Sequence, residues 1–183
     1  MSSLLRVTGW NGRGAVQPWG EIEAELGTDL PSDYKQLCQA FGVGEFSREV
    51  SVLCADETGV LDLPRWWRVL LESDSSDGSF APYRIHVPGT TGGLIPWGGA
   101  CSDDWFFWQV TSGAVDEWPV LAMQVDVQEW SRYEMTATEF LHRILTDRGF
   151  GPTLWDGLRL GRFSSLSERL VAPPRGSSRE PGG

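Results

Sequence analysis

A chain of 183 residues with 40% apolar side chains is long enough for one domain with its own hydrophobic core, so disulfide staples are not needed. Its 25 acidic and 15 basic side chains leave a net charge of −10, which argues against nucleic acid as a partner, because phosphate backbones are held by Lys and Arg. No apolar run approaches the roughly 20 residues of a membrane span, and the opening MSSLLRVTGWNGRG lacks the apolar stretch of a secretory leader, so a cytoplasmic protein without membrane contact is expected.

The first patterned segment is PWGEIEAELG, where Pro18 suits the first helical position, Trp19, Ile22 and Leu26 form an apolar stripe, and Gly27 supplies the stop. In LPSDYKQLCQAFGVG a second helix opens at Pro31, carries Tyr34, Leu37, Cys38 and Phe41 at helical spacing, and ends on Gly42 as a left-handed cap. A short apolar run, Val50–Ala55, has strand character. LPRWWRVLLES then starts a third helix at Pro64 that is apolar on more than one side, the mark of a helix that is sandwiched or lies at an interface.

PGTTGGLIPWGG reads as a tight, irregular connection into a strand. Asp104–Thr111 and Trp118–Val125 are two apolar runs separated by a turn-prone segment, an antiparallel hairpin with Pro119 at a strand start or edge. Gln128–Glu134 adds a further strand. The last clear helix begins at Thr136, where Thr136 and Glu139 make a capping box, and Phe140, Leu141, Ile144 and Leu145 form the buried face. Helices around an antiparallel middle make an α+β domain over residues 1–147. Residues 148–172 form an extension packed on that domain, and the Pro/Gly/Ser-rich 173–183 a disordered tail.

Chemistry finds little support along this chain. His86 and His142 have no Cys or His at ligand spacing and read as surface or edge histidines, so no metal or other cofactor is expected. Cys38, Cys54 and Cys101 are odd in number and lack CxxC spacing, as buried free thiols do. Asp103 and Asp104 are adjacent, so on a strand they point to opposite faces and cannot share a substrate. The glycine-rich PGTTGGLIPWGG has no GK[ST], and VTSG has no GxSxG elbow. A non-catalytic protein is therefore expected.

Surface recognition remains. Residues 101–139 carry eight acids (Asp103, Asp104, Asp116, Glu117, Asp126, Glu129, Glu134 and Glu139) against the single base Arg132. Trp97, Trp105, Trp108 and Trp118 are interleaved with that run, and indoles rimmed by carboxylates suit Arg-rich protein ligands. Sugars also stack on Trp, so carbohydrate binding stays open.

The motif order is more specific than any motif alone. W-x2-IE-x2-LG at Trp19–Gly27 is followed by LPSDYKQLCQAFGVGEF at Leu30–Phe46, GLIPWG at Gly93–Gly98, an aromatic strand with a VTSG turn, WPV at Trp118–Val120 and TEFL at Thr138–Leu141. Over about residues 17–147 this order resembles the SUKH superfamily, which includes bacterial immunity proteins and the fungal Smi/Knr cell-wall regulators. The resemblance implies helices packed on a mostly antiparallel sheet, no catalytic residues, and a role in binding and neutralising a protein toxin domain, a basic nuclease or other nucleic-acid-directed enzyme. A monomer is favoured, and a regulatory or scaffold module like the fungal proteins is the alternative. In the family the Gly42–Phe46 loop and the Leu94–Trp97 segment shape the entrance to the sheet, which nominates Glu45, Trp97, Asp103, Asp104, Trp105, Trp108 and Trp118 as partner contacts.

Overall fold

Helix ends are fixed by side chains and glycines that the sequence places there. The computed structural model describes residues 1–12, 14, 16–100, 103–147, 149–150 and 162–166. Among them α1 spans Ser2–Thr8, α2 Trp19–Leu26, α3 Ser32–Phe41, α4 Leu63–Asp77 and α5 Ala137–Thr146. Helix α2 ends on Gly27 in the left-handed conformation, φ 71° and ψ 20°, a region that L side chains disfavour. Gly42 ends α3 differently from the expected left-handed cap: φ is 71° but ψ is −157°, which throws the chain straight into an extended strand. Asp62 caps α4 by accepting from the Arg65 N–H at 3.0 Å, and Thr136 caps α5 by accepting from the Glu139 N–H at 3.2 Å. The reciprocal arm of the expected capping box gives way to an ion pair between Glu139 and Arg143 at 2.7 Å. No described helix is long and apolar enough to cross a membrane.

Among the described residues seven strands form one antiparallel sheet: β1 Gly44–Phe46, β2 Val50–Val52, β3 Leu94–Ala100, β4 Trp105–Gln109, β5 Val120–Gln124, β6 Glu129–Tyr133 and β7 Phe163–Ser165. Their spatial order is β6-β5-β4-β3-β2-β1-β7. The fold is α+β, as the sequence implies. Pro119 sits one residue before β5, where its missing N–H costs the ladder nothing and its carbonyl accepts from Gln109 at 3.0 Å. The strand expected over Val50–Ala55 stops at Val52, since Cys54 leaves the ladder to bridge Asp62.

Side chains alternate across this sheet, so the pairing register assigns every residue to one of two faces. On the first face Tyr34 of α3 meets Trp108 at 4.7 Å between ring centroids, and Phe140 of α5 meets Phe106 at 5.2 Å and Trp97 at 5.9 Å. On the second face Trp66 of α4 meets Trp105 at 5.3 Å, and Phe80 and Tyr83 of the following loop meet Phe107 and Trp130 at 5.7 and 4.9 Å. The register shifts between Pro96 and Gly98, and this bulge turns Trp97 onto the first face alongside Phe106.

The loop that closes the second face is held by buried polar groups. The Ile85 N–H donates to Asp74 Oδ2 at 2.9 Å, and the Trp67 indole N–H donates to the His86 carbonyl at 3.0 Å. His86 itself is 2% exposed, with its ring nitrogens 2.9 and 3.2 Å from the carbonyl oxygens of Gly92 and Leu26. It is thus an interior strut between α2 and the loop, which corrects the surface position expected for it. Cys38 and Cys54, unrelated in spacing, are both buried and lie 2.8 Å apart at their sulfurs. Cys101 and the 173–183 tail fall outside the described residues, as does most of the 148–172 extension; within the latter, 162–166 contributes β7.

Candidate partner-binding surface

The sheet's connections sort its polar residues to two ends. The β1–β2, β3–β4 and β5–β6 hairpins all turn at the same end, because each pair is consecutive and antiparallel. Four described non-glycine residues have positive φ, namely Ser47, Arg48, Asp103 and Gln128, and all four lie in these three turns. Strain concentrated there is tolerated because the flanking ladders dictate the turn lengths.

Register then assembles part of the nominated set. Glu45 pairs with Ser51, Ser51 with Gly99, and Gly99 with Trp105. These four residues therefore form one row across β1, β2, β3 and β4, on the second face and next to the hairpin tips. At about 4.8 Å per strand, Glu45 and Trp105 stand about 14 Å apart, with only a hydroxymethyl group and a hydrogen between them. The result is a shallow trough with a carboxylate at one side and an indole at the other. Trp66 walls the indole side, and Ser164 of β7 continues the row beyond Glu45. Glu45, Ser51, Gly99, Trp105, Trp66 and Ser164 are all partly exposed, while Asp103 stands exposed at the adjacent tip. A side chain at position 99 would bring its Cβ to 2.8 Å from the Asp104 carbonyl oxygen, so a glycine there keeps the trough open.

The other four nominated residues are not at the surface. Trp97, Trp108 and Trp118 are 0%, 1% and 4% exposed, because β3 and β4 direct the first two onto the helix-covered face and Trp118 is packed in the same core. Asp104 is also interior, at 3% exposed, where its Oδ1 accepts from the Val125 N–H at 3.1 Å and ties the β3–β4 turn to β5. The acidic run does not form one patch either. Asp103, Asp126 and Glu129 gather at the hairpin-tip end, Asp116 and Glu117 lie in the β4–β5 connection at the opposite end, and Glu134 and Glu139 are engaged by Arg132 and Arg143.

Trp66, Ser51 and Gly99 were missing from the sequence-derived set. The two-sided apolarity of the α4 segment was the available signal for Trp66, and the paired glycines before an aromatic strand were the signal for the trough floor. Among the described residues no cluster of three or more His, Cys, Asp or Glu is placed to hold a metal ion.

Comparison with known proteins agrees with this architecture. A search of curated proteins and one of solved structures find no match. The SUKH_6 family model, described as SMI1-KNR4 cell-wall, matches residues 17–142, which run from the segment before α2 into α5 and include every described strand except β7. The chain belongs to the SUKH_6 family of SMI1-KNR4 domains.

Proposed function

We propose that this chain is a non-catalytic, immunity-type binding protein that neutralises a cognate toxin domain by engaging its basic surface. The contact is the Glu45–Trp105 trough together with Asp103. The observation that carries this proposal is the register that sets a carboxylate and a half-exposed indole in one row beside an acidic tip, in a chain whose motif order resembles a superfamily that includes immunity proteins. An arginine laid in such a trough pairs with the carboxylate and stacks on the indole. A nucleic-acid-directed toxin presents such side chains where it holds phosphate.

Co-expression with a toxin domain found in the gene neighbourhood is the direct test: a stable complex and restored growth support the proposal, and unrelieved toxicity with no complex overturns it. The cell-wall description of the family favours a second function, a regulatory module that binds an endogenous protein. In that case capture from the native cell returns a housekeeping partner, and co-expression leaves the toxin active.

A further inference from the structure

At the end of the sheet opposite the hairpin tips there is an open cleft of about 830 Å³. Phe41 and Trp10 supply an apolar base, Val16 stands 94% exposed at the mouth, and Asp56, Glu57 and Asp62 belong to the wall. Its volume falls within the range of about 300–1,000 Å³ common for ligand sites. No Lys or Arg is among its described lining residues.

The wall is prefolded and keeps its charge. Asp56 accepts from the Thr58 N–H at 3.0 Å and the Leu61 N–H at 2.8 Å, and Asp62 accepts from the Asp56 N–H at 3.2 Å. Burial alone would raise the Asp56 carboxyl, but the donors from Leu61, Thr58 and Val60 outweigh it and hold the group below its ordinary value. Hydrogen bonds from neutral N–H groups stiffen the loop without cancelling its negative charge. Five described carboxylates have cations, in the pairs Glu23–Lys35, Glu25–Arg68, Asp74–Arg84, Glu134–Arg132 and Glu139–Arg143. None of the described ion pairs involves Asp56, Glu57 or Asp62, and the nearby Arg65 spends its guanidinium on the Gly59 carbonyl at 2.8 Å.

We propose that this cleft binds a basic, extended peptide segment of a partner protein, with alkyl stems against Trp10 and Val16 and cationic heads at the Asp56–Asp62 wall. The site is separate from the trough and does not depend on the toxin-neutralising function. Charge complementarity selects the occupant, and the apolar base selects a side chain with a long stem, as Arg and Lys have.

The test is fluorescence anisotropy of a labelled acetyl-(Arg-Leu)4-amide titrated with the full chain, beside the same peptide with citrulline in place of arginine. Binding of the arginine peptide that weakens with added salt, and at least tenfold weaker binding of the citrulline peptide, is the expected result. Val16→Lys weakens binding about two- to fivefold and Val16→Glu strengthens it, as single exposed charges do. Glu57→Gln weakens it without touching the hydrogen bonds of the loop, and the dependence on Val16 and Glu57 persists in a Glu45→Gln/Asp103→Asn background, where the trough no longer offers arginine a carboxylate. Equal affinity for both peptides, insensitivity to Val16 and Glu57, or loss of binding in the Glu45/Asp103 variant instead would overturn the proposal. So would displacement by spermidine at the same cationic concentration, which assigns the cleft to a small polyamine, or self-association abolished by Val16→Lys, which assigns it to a second copy.

Discussion

Trp105 and Trp108 are chemically identical and three positions apart, yet they differ in consequence. Trp108 packs on Tyr34 and Trp97 at 1% exposure, so Trp108→Ala should cost about 3–5 kcal/mol in equilibrium denaturation. Trp105→Ala should cost clearly less, because that indole is only half buried against Trp66 and Phe107. Sequence could not separate them. Trp105–Trp108 reads WFFW, and an all-aromatic strand contains no polar residue to mark which parity faces water. Only the pairing partners, small Gly99 for one and large Ile95 for the other, make the distinction. Asp104 was equally opaque, since what holds it inside is a bond from Val125 of a neighbouring segment, 21 residues on.

Titration at single residues bounds the stable pH range. Burial raises Tyr34 and Cys54 well above their ordinary values, and the neighbouring Cys38 thiol adds to both. An acid whose folded value is raised contributes stability that is complete below its unfolded value and is lost as pH rises toward the folded one. Urea midpoints should therefore hold up to about pH 8.5 and decline above it, and Cys54→Ala should remove part of that slope. Asp56 has the opposite sign: its depressed value adds stability above about pH 4 that disappears as pH falls through the folded value, and Asp56→Asn should flatten the acid limb of the same curve.

At the level of elements, β7 is the piece that the chain's pattern concealed. Phe163 is 7% exposed and meets Trp10, Phe41 and Phe46 at 4.9, 5.0 and 4.9 Å. Phe163→Ala should cost about 3–5 kcal/mol by denaturation, although the residue lies well beyond the family match. Strands β1 and β7 are three residues long, too short for a period to register, and Glu45 finds Ser164 across more than a hundred residues. Helix α1, seven residues with Leu4 and Thr8 buried, is similarly short of signal. The longer helices and the β4–β5 hairpin were legible because local periodicity and end signals agree there. Thr136→Ala and Asp62→Ala should each cost about 1 kcal/mol, read as a fall in the urea midpoint, since each removes an acceptor for an otherwise unpaired helical N–H.

For the whole molecule, net charge proved a poor guide to where charge sits. The acidic run over 101–139 suggests one negative surface, but folding sends part of it to the hairpin tips and part to the opposite end, and pairs two members with arginine. What remains at the trough is modest in number and specific in placement. A partner steered by it should associate more slowly as salt rises, with little change in dissociation, because long-range attraction acts on encounter. Fast-mixing kinetics at two ionic strengths measures this.

The trough is the surface proposed to hold the partner, so calorimetric titration with a toxin domain found in the gene neighbourhood is the most direct test. Trp105→Ala combined with Asp103→Asn should weaken binding by at least tenfold while the thermal midpoint stays close to that of the parent. The Val16→Lys variant at the other end of the sheet should bind the toxin as the parent does if the trough alone makes this contact. Undiminished affinity in the Trp105/Asp103 variant, with the fold intact, would contradict the account.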